Sequence, residues 1–287
     1  MKKLVLFMLL VIVIISAVGC SQPDADKKAM VIVSFGTSYA DTRELTITAT
    51  EDVFKEEFGS YDVYRAFTSQ TIIDILEERD NIEVNNVKEV MELLTKEKYG
   101  EVVVQPLHVM NGAEYDEMSS IIDEYKGNFN DVKIGKALLS SVTDYEKTVE
   151  ALAVQFPETK DGEAIVFMGH GTHHDANAVY GTLEYAFHAA GYDNVFVGTV
   201  EGYPTFDNVL DRLDDNNINK VTLMPLMIVA GDHANNDMAG DEEDAWKVML
   251  KEQGYEVEIY LHGIGENEEI RKIYIAHANE AIEGAHE

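Results

Sequence analysis

Short apolar runs and longer amphipathic stretches take turns along this chain of 287 residues. Residues 30–35 (MVIVSF) form a β-branched apolar run that stops at Gly36, the pattern of a buried strand. Helical spacing follows over 42–57, a second strand over 62–67, and helices over 71–79 and 87–98. Residues 101–106 (EVVVQP) read as a strand, 115–125 as a helix, 133–139 as a strand and 144–156 as a helix. The stretch 157–162 (PETKDG) is the clearest linker signal. The series then restarts: strands over 164–168, 194–200, 220–224 and 256–261, with helices over 176–189, 205–216, 237–253 and 268–282. Strands that alternate with helices throughout predict parallel α/β sheets.

The two series also echo one another. VVVQPLHVMNGAEYDEM (102–118) and VTLMPLMIVAGDHANNDM (221–238) share an apolar strand, Pro-Leu, a short spacer and a Gly that precedes Glu or His. IVSFGTS (32–38) and FMGHGTH (167–173) share a strand and Gly-Thr. The expected fold is therefore α/β: two similar doubly wound domains, each with a parallel sheet, and a cleft between them. Domain spans of 30–143 and 144–287 follow, with the last helix free to pack back on the first domain. Ligands of such sheets bind beyond the carboxyl ends of the strands, here between the halves.

Residues 1–19 do not fit this pattern. MKK precedes a run of fifteen residues, apolar except for Ser16, and the run ends at Gly19-Cys20. That is a secretory signal, shorter than the roughly 20 residues a membrane span requires. AVGC resembles a bacterial lipobox without its usual leucine, and in such signals the cysteine is lipidated and becomes the first residue. Cys20 is thus the expected lipidation site, residues 20–29 a polar tether, and the chain exported and held at the outer face of the cytoplasmic membrane or in the periplasm. An ordinary signal followed by a free thiol is the alternative. Cys20 is the only cysteine, which excludes an internal disulfide and a thiolate metal site.

The formal net charge of −31 argues against a nucleic-acid partner. GxxxxGK[ST], GxGxxG and GxSxG are all missing, so neither a nucleotide site nor a serine hydrolase is supported.

The chemistry must come from histidines and carboxylates. GHGTHHDANAVYG (169–181) holds His170, His173 and His174. In the echo, Gly231 pairs with Gly112, so His233 pairs with Glu114, and His170 stands opposite Phe35. His170, His233 and Glu114 each lie just past a strand. A single histidine there is more often a hydrogen-bonded loop residue, but three such groups at equivalent strand ends can converge on the cleft. Two imidazoles and a carboxylate suit a divalent first-row metal, or proton removal near neutral pH. Neighbours seldom aim at one point, so at most one of His173 and His174 faces the cleft. His108, after Pro106-Leu107, is a further lining candidate. Gly169, Gly171, Gly202 and Gly231 would let a ligand approach the backbone closely. The run 241–244 (DEED) reads as a solvated helix start.

VSFGTSYADTRE, YRAFTSQTII with LEERDNIEV after it, VVVQPLHVMNGAEYDEM, VFMGHGTHHDANAVY and MPLMIVAGDHANNDMAGDEEDAWK closely resemble the single-subunit anaerobic cobaltochelatases, which insert cobalt into sirohydrochlorin. The resemblance runs from Met30 to the carboxyl end. It implies the class II chelatase fold, with the tetrapyrrole between two α/β domains, Co2+ as co-substrate (with Fe2+ or Ni2+ as alternatives) and no nucleotide. It implies His170 and His233 as metal-binding and proton-accepting residues and Glu114 as a metal-side glutamate. The substrate's carboxylates would need cations, for which Arg43 and Arg65 are candidates, with His108 and His174 as further substrate contacts. Most members of that family are cytoplasmic. An exported member could instead bind metal or haem for uptake, beside an ABC-type transport system. A homo-oligomer is also compatible with the sequence.

Overall fold

The computed structural model describes residues 22–284. The signal segment and Cys20 lie outside them. The first half runs β1 (Asp24–Ser34), α1 (Ala40–Arg43), α2 (Ala49–Glu57), β2 (Asp62–Phe67), α3 (Gln70–Asp80), α4 (Val87–Glu97), β3 (Tyr99–Pro106), α5 (Ala113–Tyr125), β4 (Asp131–Ile134) and α6 (Val142–Ala153). The second runs β5 (Glu163–Gly169), α7 (Val179–Ala189), β6 (Val195–Thr199), α8 (Phe206–Asp215), β7 (Lys220–Pro225), α9 (Trp246–Glu252), β8 (Glu256–Ile259) and α10 (Glu268–Glu283). Each half forms a four-stranded parallel sheet with the same strand order, β2-β1-β3-β4 and β6-β5-β7-β8.

The central strands are apolar without interruption because both of their faces are covered. On β1, Ala29, Val31 and Val33 enter one core while Met30 and Ile32 enter another. On β5, Ala164, Val166 and Met168 separate in the same way from Ile165 and Phe167. The cluster that receives Met30 and Ile32 also receives Ile165 and Phe167, so one core joins the two halves. Residues of α10 complete it. Ile270, Ile273, Tyr274 and Ala278 are buried there, and the Tyr274 hydroxyl donates to the carbonyls of Leu107 and His108, both at 3.2 Å. The last helix thus returns to the first sheet, where it also packs on α6.

Three elements differ from the sequence pattern. β1 starts at Asp24, not Met30, so part of the expected tether is strand. The Asp24 N–H donates to the Lys98 carbonyl at 2.9 Å, and Gly100 makes room, since a Cβ there would lie 2.2 Å from the Asp24 oxygen. The expected strand over 133–139 ends at Ile134. There Gly135 packs on the Gln105 side chain, whose amide donates to the Lys136 carbonyl at 2.9 Å and draws the chain off the sheet. The helix expected over 237–253 is broken. A π-helical turn, Ala234–Met238, precedes the break, and Lys247 donates to the Ala239 carbonyl at 2.6 Å and to Asp241 at 2.8 Å before α9 begins. The exposed DEED run lies in this break. Among the described residues no helix is long and apolar enough to cross a membrane.

Candidate active site

The carboxyl ends of the two sheets meet. Thr42 Oγ1 accepts from the Ala230 N–H at 3.0 Å, Tyr39 donates to Asp232 at 3.2 Å, and the Gly231 backbone lies against Thr37. Backbone hydrogen bonds just past the strands repeat between the halves. Leu107 N–H to Val33 O at 2.7 Å matches Leu226 N–H to Met168 O at 2.8 Å. Ser69 N–H to Phe35 O at 3.3 Å matches Glu201 N–H to His170 O at 2.8 Å. Asp116 N–H to Gly112 O and Asn235 N–H to Gly231 O match at 3.0 Å each. By this register Phe35, Ser69 and Glu114 occupy the places that His170, Glu201 and His233 hold in the second half.

Only the second set assembles into a possible metal site. One ligand atom from each of His170, Glu201 and His233 lies within 4.8 Å of the other two. The two rings stand 4.7 Å apart, centroid to centroid, at 81°. Both histidines are half-buried and Glu201 is exposed. The His170 Nδ1–H donates to the Gly171 carbonyl at 2.8 Å, and the His233 Nδ1–H donates to Asp237 Oδ2 at 2.5 Å. A carbonyl or carboxylate only accepts, so each neutral ring keeps its lone pair on Nε2. Backing of this kind orients a ligating imidazole and makes it more basic. Two imidazoles and one carboxylate form a donor set for a divalent first-row ion, with positions left open for an incoming group.

The loops that carry these residues are fixed by their neighbours. Gly171 has φ of +86°, and a Cβ there would meet the Gly202 nitrogen at 2.4 Å. Asn177 links the same two loops, accepting from the Thr172 N–H at 3.0 Å and donating to the Tyr203 carbonyl at 2.5 Å. The buried Tyr180 hydroxyl accepts from the Gly171 N–H at 3.1 Å, and burial pushes its pKa up to about 12. The glycines expected to admit a ligand therefore pack on protein instead. Gly169 lies on the Tyr180 ring, Gly171 on Gly202, and Gly231 on Thr37.

The other expected site residues are placed differently. Glu114 is outside the group of three. It stands at the start of α5, where its charge acts on His108 and Tyr180. Both His108 ring nitrogens are buried with no hydrogen-bond partner, and burial pushes its pKa down to about 4 despite Glu114. His174 uses both nitrogens within the protein: Nδ1 accepts from the Ala176 N–H at 3.1 Å, and Nε2 meets Asp116 at 3.3 Å. It braces its loop against α5. His173 is exposed. Arg43 is buried and donates to the Thr37 carbonyl at 3.0 Å. Arg65 forms a bidentate pair with the buried Glu51 at 2.7 and 2.8 Å and also donates to Thr48 at 3.0 Å. The Arg65 guanidinium is thus engaged with the Glu51 carboxylate, while Arg43 braces the Thr37 backbone. Glu201 is the group that sequence reasoning missed. Its signal was its place at the end of β6, equivalent to Ser69 after β2.

His170, Glu201 and His233 thus stand together where the carboxyl ends of two parallel sheets of equal topology meet. SirB from Bacillus subtilis, solved with Fe3+, superposes with a TM-score of 0.63 over 90% of this chain and 98% of its own at 15% identity, which shows the shared fold. The family model for cobalt chelatase (CbiK) matches residues 28–283, and the chain belongs to that family. A sirohydrochlorin cobaltochelatase of Salmonella typhimurium is 41% identical over 256 residues, 89% of this chain and 97% of that protein. Sirohydrochlorin cobaltochelatase CbiKC of Nitratidesulfovibrio vulgaris is 32% identical, over 89% of this chain and 91% of its own.

Proposed function

We propose that this chain inserts Co2+ into sirohydrochlorin, without nucleotide hydrolysis. The observation that carries the reading is the convergence of His170, Glu201 and His233, each with a ligand atom within 4.8 Å of the others. Insertion breaks two pyrrole N–H bonds and forms bonds from the macrocycle nitrogens to the metal. The Nε2 lone pairs that hold Co2+ become free as the ion moves to the macrocycle, and they can take the two protons it displaces. Metal and proton compete for the same lone pair, so metal transfer and proton uptake are coupled. An imidazole nitrogen can hold either a divalent ion or a proton, which suits that exchange. The test is absorbance of sirohydrochlorin with Co2+ and the mature protein. The expected result is metallation by wild type and its loss in His170→Ala and His233→Ala. No metallation by wild type between about pH 6 and 8, around the histidine range, would favour a binding or uptake role instead.

The same proposal places the protein outside the cytoplasm, lipid-anchored through Cys20. The supporting observation is the MKK, apolar and AVGC sequence of residues 1–20. Mass spectrometry of the membrane-extracted chain tests it, the expected product being a diacylglyceryl-modified amino-terminal cysteine.

A further inference from the structure

We infer that the anchored protein holds its cleft away from the bilayer, with the amino end of the first sheet as its membrane-facing surface and the lipid leaflet as the partner of that surface. This rests on the proposed lipidation of Cys20. Only Ser21, Gln22 and Pro23 separate that cysteine from the first strand residue, Asp24. Four residue steps reach at most about 14 Å when fully extended. The anchor is thus a short leash.

The segment it joins is built into the sheet. Asp24 pairs with Tyr99 in register, and Lys28 pairs with Glu101 after a bulge. The Lys27 ammonium donates to the Glu97 carbonyl at 2.9 Å and lies 4.7 Å from the Tyr99 ring centroid. Lys28 meets Glu101 at 2.9 Å and lies 5.4 Å from the Tyr61 ring centroid. Gly100 is fitted to this segment, since any side chain would collide with the Asp24–Ala25 backbone. The leash therefore pulls on a fixed point of the fold.

That point is at the opposite end of β1 from the cleft. With the bulge between Asp24 and Lys28, β1 runs alongside Tyr99–Pro106 of β3, so at about 3.3 Å per residue its ends are roughly 25 Å apart. Its carboxyl end leads to the Phe35–Tyr39 loop, which packs on the loop that carries His233. Charge keeps the rest of the body off the leaflet. The full chain carries −31, and removal of the signal with Lys2 and Lys3 leaves −33. An anionic leaflet repels such a body, which disfavours tilting it down onto the lipid. Metal and tetrapyrrole then enter from the aqueous side, a route that suits a polycarboxylate.

The experiment uses the full chain, processed in a bacterial host, purified with its lipid and reconstituted in vesicles of phosphatidylethanolamine and phosphatidylglycerol. Cys20 is the only cysteine and its sulfur is blocked by lipid, so a new cysteine takes a unique fluorescent label. Ser60→Cys places the label beside Tyr61 at the anchor end, and Leu261→Cys places it just past the carboxyl end of β8. With nitroxide-bearing lipid in the vesicles, the Ser60→Cys label is expected to be quenched several-fold more than the Leu261→Cys label. Equal quenching, or stronger quenching at position 261, in protein that floats with the vesicles overturns the orientation alone. Protein that neither carries lipid on Cys20 nor floats overturns the anchoring and the orientation with it.

Discussion

Asp237 accepts the Nδ1 hydrogen of His233 at 2.5 Å from four residues along the chain, within the π-helical turn that follows the histidine. The turn delivers both the ligand and the group that sets its tautomer. Asp237→Asn can place an amide N–H against the ring and push the hydrogen to Nε2. Loss of such a partner typically costs about 10- to 100-fold in metal affinity or activity. Co2+ titration calorimetry and initial metallation rates should both show a loss in that range. The melting temperature should barely change, since the Asp237 side chain is 41% exposed.

Glu201 and Glu114 separate two roles that the sequence pattern would merge. Glu201→Gln should weaken Co2+ binding by more than tenfold, because it removes the only carboxylate of the trio. Glu114→Gln should leave Co2+ affinity almost unchanged. The visible absorption bands of bound Co2+ provide the readout, and equal losses for the two variants would return Glu114 to the metal.

Arg65 belongs to the fold. Arg65→Met leaves the Glu51 carboxylate, 8% exposed, without its bidentate partner. Breaking a buried pair from one side costs about 3–5 kcal/mol, and the 24% exposure of Arg65 places this case at the lower end. Urea unfolding should register the loss. KM for the tetrapyrrole in the folded fraction should remain at the wild-type value.

His108 predicts a pH dependence of stability. Its ring is held neutral down to about 4 in the folded state, while an unfolded histidine takes a proton near 6.5. Between those values the unfolded chain binds more protons, so stability rises with pH and is lost as pH falls from about 6.5 to about 4. A shift of this size corresponds to roughly 3 kcal/mol at the acid end. His108→Leu should flatten that limb. It should also raise stability at pH 7 by about 1 kcal/mol, because it removes buried nitrogens that have no partner. Denaturant midpoints measured across the pH range would show both effects.

Much of the fold was legible because its periodicities are strong. The doubly covered strands read as unbroken apolar runs, and the repeated Pro-Leu and Gly spacing exposed the duplication. The places where the pattern failed are places where side chains override it. Gln105 draws the chain away after Ile134, and Lys247 stabilises the break between the π-helical turn and α9. At the site, His170 and His233 were visible as paired strand-end histidines. Glu201 was hidden because its one signal, its place after β6 equivalent to Ser69 after β2, is weak for a lone exposed glutamate, and only the fold brings it to the histidines. Glu114 follows from the register of Gly112 against Gly231 and from the family resemblance, and it stands at the start of α5, outside the group of His170, Glu201 and His233. Arg43 and Arg65 are candidates by their place in the family-like segments, and only the fold shows that one braces the Thr37 carbonyl and the other pairs with Glu51.

The return of α10 to the first sheet bears on how the chain is made. Its buried face completes the core above β3, and its Tyr274 caps carbonyls that follow that strand. Although domains generally fold from the amino end as they are synthesised, here part of one face of the first sheet, over β3 and β4, lacks its cover until the final helix of 16 residues has emerged. Maturation of the leading half therefore waits for the trailing end, and a ribosome stalled before Glu268 would display a sheet with an open apolar face.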